Sequence, residues 1–151
     1  MELDQKAKDS IKWMAIYGGV ASAAESLANY FATTWFAPFG VLVGFGGFPG
    51  GQVVNSLVWG AISGAIFGFV LSRYYVQIID FNKKYLGNFF GSLFRLLFYP
   101  YIIAGIFGFL GGGLALAAGA GLSILVAFGA TIAIRYFYAK MVFVKLGQYY
   151  Q

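Results

Sequence analysis

Glu25 is the residue whose type and setting raise a chemical question. It is the single carboxylate inside any apolar segment of the chain. On a helix, residues three, four and seven positions apart share a face. That places Glu25 with Gly18, Ala21, Ser22, Ala28, Asn29, Ala32 and Thr33, all of them small and several polar. The opposite face carries Ile16, Val20, Leu27 and Phe31, which suit lipid. A charged side chain at the centre of a bilayer costs about 2.5 kcal/mol or more, so it marks a proton or ion pathway or is paired. An unpaired acid at that depth is expected in its neutral form. Ser22, Asn29 and Asn55 are the nearest candidate partners, with Gln52 or a distant arginine behind them. Two chemistries follow: Glu25 takes part in proton or ion movement, or it is hydrogen-bonded glue between helices.

Other chemistries are poorly supplied. Cysteine and histidine are both absent, which removes Ser–His and Cys–His nucleophile pairs, disulfides and the usual zinc sites. No second acid stands near Glu25, and no metal-ligand spacing is present. The run Gly44-Phe45-Gly46-Gly47-Phe48-Pro49-Gly50-Gly51 resembles a phosphate loop only in its glycines. No strand precedes it and no Lys-Ser or Lys-Thr follows. An enzyme is therefore not expected. The many aromatics are expected at membrane interfaces rather than around a pigment or quinone, and no cofactor or metal is expected. Ser63 is expected to bond back to its own helix, and Asn55 to cap the helix that follows it.

The elements that hold Glu25 come from composition. Of 151 residues, 60% are hydrophobic and 10% charged, against about a quarter charged in a soluble domain. Residues 26–72 and 96–134 carry no charge, and a bilayer core takes about 20 apolar residues per helix. The fold class expected is all-α: an integral membrane helical bundle, four transmembrane helices arranged as two hairpins in a single domain. The spans are placed at about 11–35, 53–76, 93–110 and 114–136. Residues 36–52 form an apolar loop rich in Gly and Pro, lying at the outer interface or dipping into the membrane. Residues 77–92 form a polar connection on the cytoplasmic side, a surface loop or a short interfacial helix. Pro100 is expected to kink the third span.

Two stripes of small residues recur at four-residue spacing. One is Ser56, Gly60, Gly64, Gly68 and Ser72; the other runs Ala115, Gly119, Ser123, Ala127 and Thr131. Where lipid offers no hydrophobic drive, such stripes let helices approach closely. The second helix of each hairpin ends in a basic–aromatic run, Arg73-Tyr74-Tyr75 and Arg135-Tyr136-Phe137. Arg73, Arg95 and Arg135 are read as interface anchors whose charges snorkel to the headgroups.

The net charge of +5 does not signal nucleic acid. All ten bases fall at the N-terminus (Lys6, Lys8, Lys12), at or between the facing ends of the second and third spans (Arg73, Lys83, Lys84, Arg95), or from the end of the fourth onward (Arg135, Lys140, Lys145). The positive-inside rule then puts both termini in the cytoplasm of a multi-pass cell-membrane protein. Met1–Lys12 balances three acids against three bases, unlike the positive start of a signal peptide, so cleavage is not expected. Expected partners are the lipid bilayer and either further copies of the chain or other membrane subunits. The function expected is a channel or proton-coupled transporter subunit using Glu25. The alternative is a non-catalytic structural or accessory subunit.

Overall fold

The structure, a computed structural model, describes residues 3–36, 50–111 and 121–150. Those residues form four α-helices and no strand: α1 (Gln5–Phe36), α2 (Gly50–Tyr85), α3 (Leu93–Gly111) and α4 (Gly121–Leu146), followed by a 3-10 turn at Gly147–Tyr149. The all-helical expectation holds. Among the described residues, two stretches are long and apolar enough to cross a membrane, Gly50–Tyr85 and Leu122–Tyr149; α3 supplies a shorter apolar run, Leu93–Phe107.

Local signals set the helix ends. The side chain of Asp4 accepts from the Ala7 amide at 2.7 Å, and Ser92 accepts from the Arg95 amide at 3.3 Å, so each satisfies one of the orphan donors at a helix start. α2 continues well past the expected end of its span. Residues 77–85, expected from their polarity as a surface loop or a short interfacial helix, instead continue α2, because no Gly or Pro breaks the chain before Gly87. Lys83 and Lys84 sit in the last turn, where the helix dipole favours cations. The turn itself needs left-handed backbone at Gly87 (φ 58°) and Asn88 (φ 65°), which glycine and asparagine supply at low cost. Asn82 organises it: its carbonyl accepts from the Leu86 amide at 2.8 Å and its side-chain oxygen from the Phe90 amide at 3.1 Å.

α4 likewise runs beyond the expected 136 and stops only before Gly147. Pro100 lies inside α3, where it withholds a helical amide. Most of the apolar Gly/Pro-rich loop, with Pro38 and Pro49, lies outside the described residues. So do Gly119, Ala115 and the early part of the expected fourth span.

Successive helices run antiparallel. α1 packs on both α2 and α4, and α3 packs on α4. The α1–α2 contact is made backbone to backbone. A methyl group placed on Gly60 would stand 2.6 Å from the Gly18 carbonyl oxygen. On Gly64 it would stand 2.8 Å from the Met14 carbonyl carbon, and on Gly68 2.5 Å from the Ser10 carbonyl oxygen. Only hydrogen fits at these positions. α1 turns Ile16, Val20 and Phe31 outward, as expected of that face, and buries Gly18, Ala21 and Ala32, whereas Leu27 is half-buried and Asn29, expected on the inner face, is exposed.

The core gathers toward the end that holds residues 3–10 and 147–150. Met14, Leu71, Leu93, Leu97, Tyr138, Ala139, Val142 and Leu146 meet there, with Tyr150 closing the base. The Tyr150 hydroxyl shares a 2.5 Å hydrogen bond with Ser10 Oγ, and its ring stands edge-on to Tyr75, centroids 4.8 Å apart. Burial pushes the Tyr150 hydroxyl above its ordinary pKa, and the Ser10 hydrogen bond partly offsets that. Above this base, the packing opens around Glu25.

Candidate functional site: an ion pair at the edge of a polar cavity

Gly18 and Gly19 bring α1 onto α2 so closely that the next turns of α1, Ser22 and Glu25, stand against the bundle interior. α4 crosses on the other side of α1, where Ala21 and Ala139 leave room for it. Arg135 projects from the middle of α4. Its Nε donates to Glu25 Oε1 at 2.5 Å, its Nη2 donates to Glu25 Oε2, and Nη2 also reaches Ser22 Oγ at 3.3 Å. This is the two-point arrangement that the planar guanidinium forms with a carboxylate. The side chains are 8% and 16% exposed for Arg135 and Glu25, which makes it a largely buried pair.

Two tyrosines hold the far side of the guanidinium. Its carbon lies 4.2 Å from the Tyr101 ring centroid and 5.5 Å from that of Tyr138, close enough for cation–π attraction. Tyr101 comes from α3 and Tyr138 from the next turn of α4. The Tyr138 hydroxyl in turn donates to the sulfur of Met14 at 3.6 Å. Four groups on three helices thus fix one arginine.

Glu25 faces a cavity of about 600 Å³ between α1 and α2. From α1 it is lined by Ser22, Glu25, Ser26, Asn29 and Tyr30, and from α2 by Gln52, Ser56, Trp59, Gly60 and Ser63. For a cleft between helices this apolar, the lining is rich in hydroxyl and amide groups. A second cavity of about 190 Å³ lies on the α3–α4 side and is lined by Arg135, Tyr101, Tyr138 and Phe67, together with Gly18 and Gly64. The two cavities share Ser22, Gly60 and Ser63. Glu25 belongs to the larger and Arg135 to the smaller, so the ion pair stands where they meet.

The structure brings together Glu25, Ser22 and Asn29 as their helical spacing implies. It does not bring Asn55 to the site: that residue is exposed inside α2, past the helix start at Gly50, and neither lines the cavity nor caps the helix. Gln52 and Ser56, one turn apart on the same helix, take that position instead. Ser63 bonds back to the Gly60 carbonyl at 3.2 Å while its side of the helix lines both cavities. Gly60, Gly64 and Gly68 lie against α1, and Ser123 is buried. Arg73 and Arg95 are exposed. Arg135 is not at an interface of that kind. It is 6% exposed and turned inward, and the lone neutral acid expected from sequence is instead one half of an ion pair. Comparison with known proteins finds no family that matches this chain, and no match among curated proteins or solved structures.

Proposed function

We propose that this chain is a small multi-pass membrane protein, all four helices inserted and both termini cytoplasmic, that moves a solute or ion through the α1–α2 cleft. Protonation of Glu25 is the coupling step. When Glu25 takes a proton its attraction to Arg135 falls, and the tie between α1 and α4 loosens. The observation that carries this reading is the 600 Å³ polar cavity that ends on a carboxylate held by a partner on another helix. The two helices long enough to cross a membrane support the setting, and the basic residues support the orientation. Partners in this reading are lipid and further copies of the chain or other membrane subunits.

The test is reconstitution in liposomes under an imposed pH gradient, with flux followed by an internal pH dye. Proton-linked flux above that of protein-free liposomes is expected, and Glu25→Gln should abolish its coupling to pH. Flux that Glu25→Gln leaves intact, or no flux with any solute or ion, would refute the proposal. The chain has no native cysteine, so orientation is checked with single cysteines at Lys8 and Lys84. Both should resist a membrane-impermeant thiol reagent until the cells are broken.

The two-point pair also favours a second reading, in which Glu25 and Arg135 simply staple α1 to α4 in a structural or accessory subunit. In that case Glu25→Gln changes assembly, seen by native mass spectrometry, with no flux to lose.

A further inference from the structure

We propose that the second cavity is a binding site for a small carboxylate, and that Glu25 occupies its place on Arg135 when no substrate is bound. The inference rests on the transport reading and names its substrate class.

The cavity lining carries the argument. Arg135 supplies a fixed positive charge there, and no carboxylate lines this second cavity. Ser22 and Tyr101 add hydroxyls that can donate to an anion, while those of Ser63 and Tyr138 already donate to the Gly60 carbonyl and the Met14 sulfur. The volume, about 190 Å³, suits a small molecule rather than a lipid tail or a peptide. The guanidinium already holds a planar two-oxygen anion in the geometry a substrate carboxylate would take, because Glu25 engages Nε and Nη2 together. Tyr101 and Tyr138 keep the guanidinium in place through its face, leaving its in-plane donors for an anion. Ser22, Gly60 and Ser63 separate this site from the larger cavity and line both.

The exchange balances in atoms and charge. A proton from solution bonds to a carboxylate oxygen of Glu25, and the two hydrogen bonds from Arg135 are released. The incoming carboxylate accepts those same two hydrogen bonds. On departure it gives them back, and Glu25 loses its proton to solution. One proton and one carboxylate move together, so no net charge crosses. The groups facing Glu25 are Arg135 from α4, Tyr30 and Ser22 from α1, and the neutral Gln52, Ser56 and Trp59 of α2; Tyr101 of α3 and Tyr138 of α4 face Arg135. Arg135 is the one partner among them whose charge opposes that of a carboxylate.

The probe is radiolabelled lactate, tested for binding to the whole purified chain in detergent and for uptake by liposomes holding it. Lactate binding should strengthen as pH falls, by roughly tenfold once Glu25 is protonated, the worth of one charge-assisted contact. Glu25→Gln should bind lactate equally well at every pH, since the neutral amide stands in permanently for the protonated acid. A residue that only braces the fold would not give that loss of pH dependence. Arg135→Lys keeps the charge but not the fork and should weaken binding about tenfold. Chloride and methylammonium are the contrast ligands. If lactate fails to bind at low pH, or methylammonium competes for the site while lactate does not, the inference is overturned whatever the liposomes show. If lactate binds with the stated pH pattern but nothing is transported, the site stands and the transport reading falls.

Discussion

Arg135→Gln should be among the most damaging single changes in this protein, and adding Glu25→Gln should undo part of the harm. Two unit charges about 4 Å apart attract by about 4 kcal/mol at an effective dielectric of 20. Removing one partner of a buried pair costs about 3–5 kcal/mol, because the other charge is left without compensation. Here the pair is not fully enclosed: Glu25 keeps 16% of its side-chain exposure and faces a cavity. That lowers the expected loss to about 2–3 kcal/mol for the ion pair itself. The stacking on Tyr101 at 4.2 Å goes as well, worth about 0.5–1 kcal/mol more. Arg135→Gln should therefore cost about 3 kcal/mol in all. Glu25→Gln should cost less, about 1–2 kcal/mol, since the amide oxygen of the new side chain still accepts from the guanidinium and both tyrosine faces remain. The double variant removes the stranded charge. It should be more stable than Arg135→Gln alone, which requires a coupling energy larger than the cost of Glu25→Gln, about 2–3 kcal/mol. Reversible unfolding in mixed micelles, titrated with dodecyl sulfate and followed by far-ultraviolet circular dichroism, measures all four corners of the cycle. Costs that add to within about 0.5 kcal/mol would show that the two side chains do not act on each other, and the pairing would have to be abandoned.

The glycines give a paired test. Gly64→Ala should destabilise by about 1–3 kcal/mol, because its methyl meets the Met14 carbonyl and forces α1 from α2. Gly129→Ala, with open space around the new carbon, should be neutral or stabilise by up to about 1 kcal/mol through helix propensity; the same unfolding assay compares them. At the base of the bundle, burial raises the Tyr150 hydroxyl above its ordinary value of 10.0. The folded state therefore holds the Tyr150 proton more tightly than the unfolded chain. Its contribution is complete below 10.0 and declines as pH rises from there through the folded value. Hydrogen exchange at residues 147–150 should accelerate across that window, and Tyr150→Phe should flatten the response. An unchanged alkaline response in Tyr150→Phe would place its origin in another group.

Much of the bundle is legible in the residues alone, because lipid-scale apolar runs and small-residue spacing are local signals. The outward face of α1 at Ile16, Val20 and Phe31, the close approach at Gly60, Gly64 and Gly68, and the back-bond of Ser63 belong to that class. The helix ends are less legible, for a physical reason. Polarity at Gln77, Asp80 and Lys83 and the basic–aromatic run at Arg135 look like the end of a span, but a helix ends where the backbone must change direction. Gly87 and Gly147 are those places, and both α2 and α4 stop just before them. Extending α4 to Leu146 moves Arg135 from its end to its middle, where it faces the acid of α1. The pairing itself is a contact between residues distant in sequence, and periodicity carries no information about such contacts. The one available signal is the mismatch of a carboxylate with its apolar segment, which calls for a partner without saying which.

That mismatch also separates the two proposed roles on energetic grounds. A buried ion pair is a poor staple: well-packed apolar residues of similar volume often stabilise a fold as well or better. α1 and α2 already show the simpler solution, joining through glycine backbone contacts with no charge at all. A staple between α1 and α4 would not need a guanidinium with two aromatic faces behind it, nor a polar cavity in front of the acid. Both features make sense if the pair has to come apart. Trp59, Gln52 and Asn29 then provide a wet approach to Glu25, and Tyr101 and Tyr138 hold Arg135 while its partner is exchanged. The energetic disadvantage of the pair relative to an apolar contact is then what permits it to open, and the energy of opening is set by the same coupling that the double-mutant cycle measures.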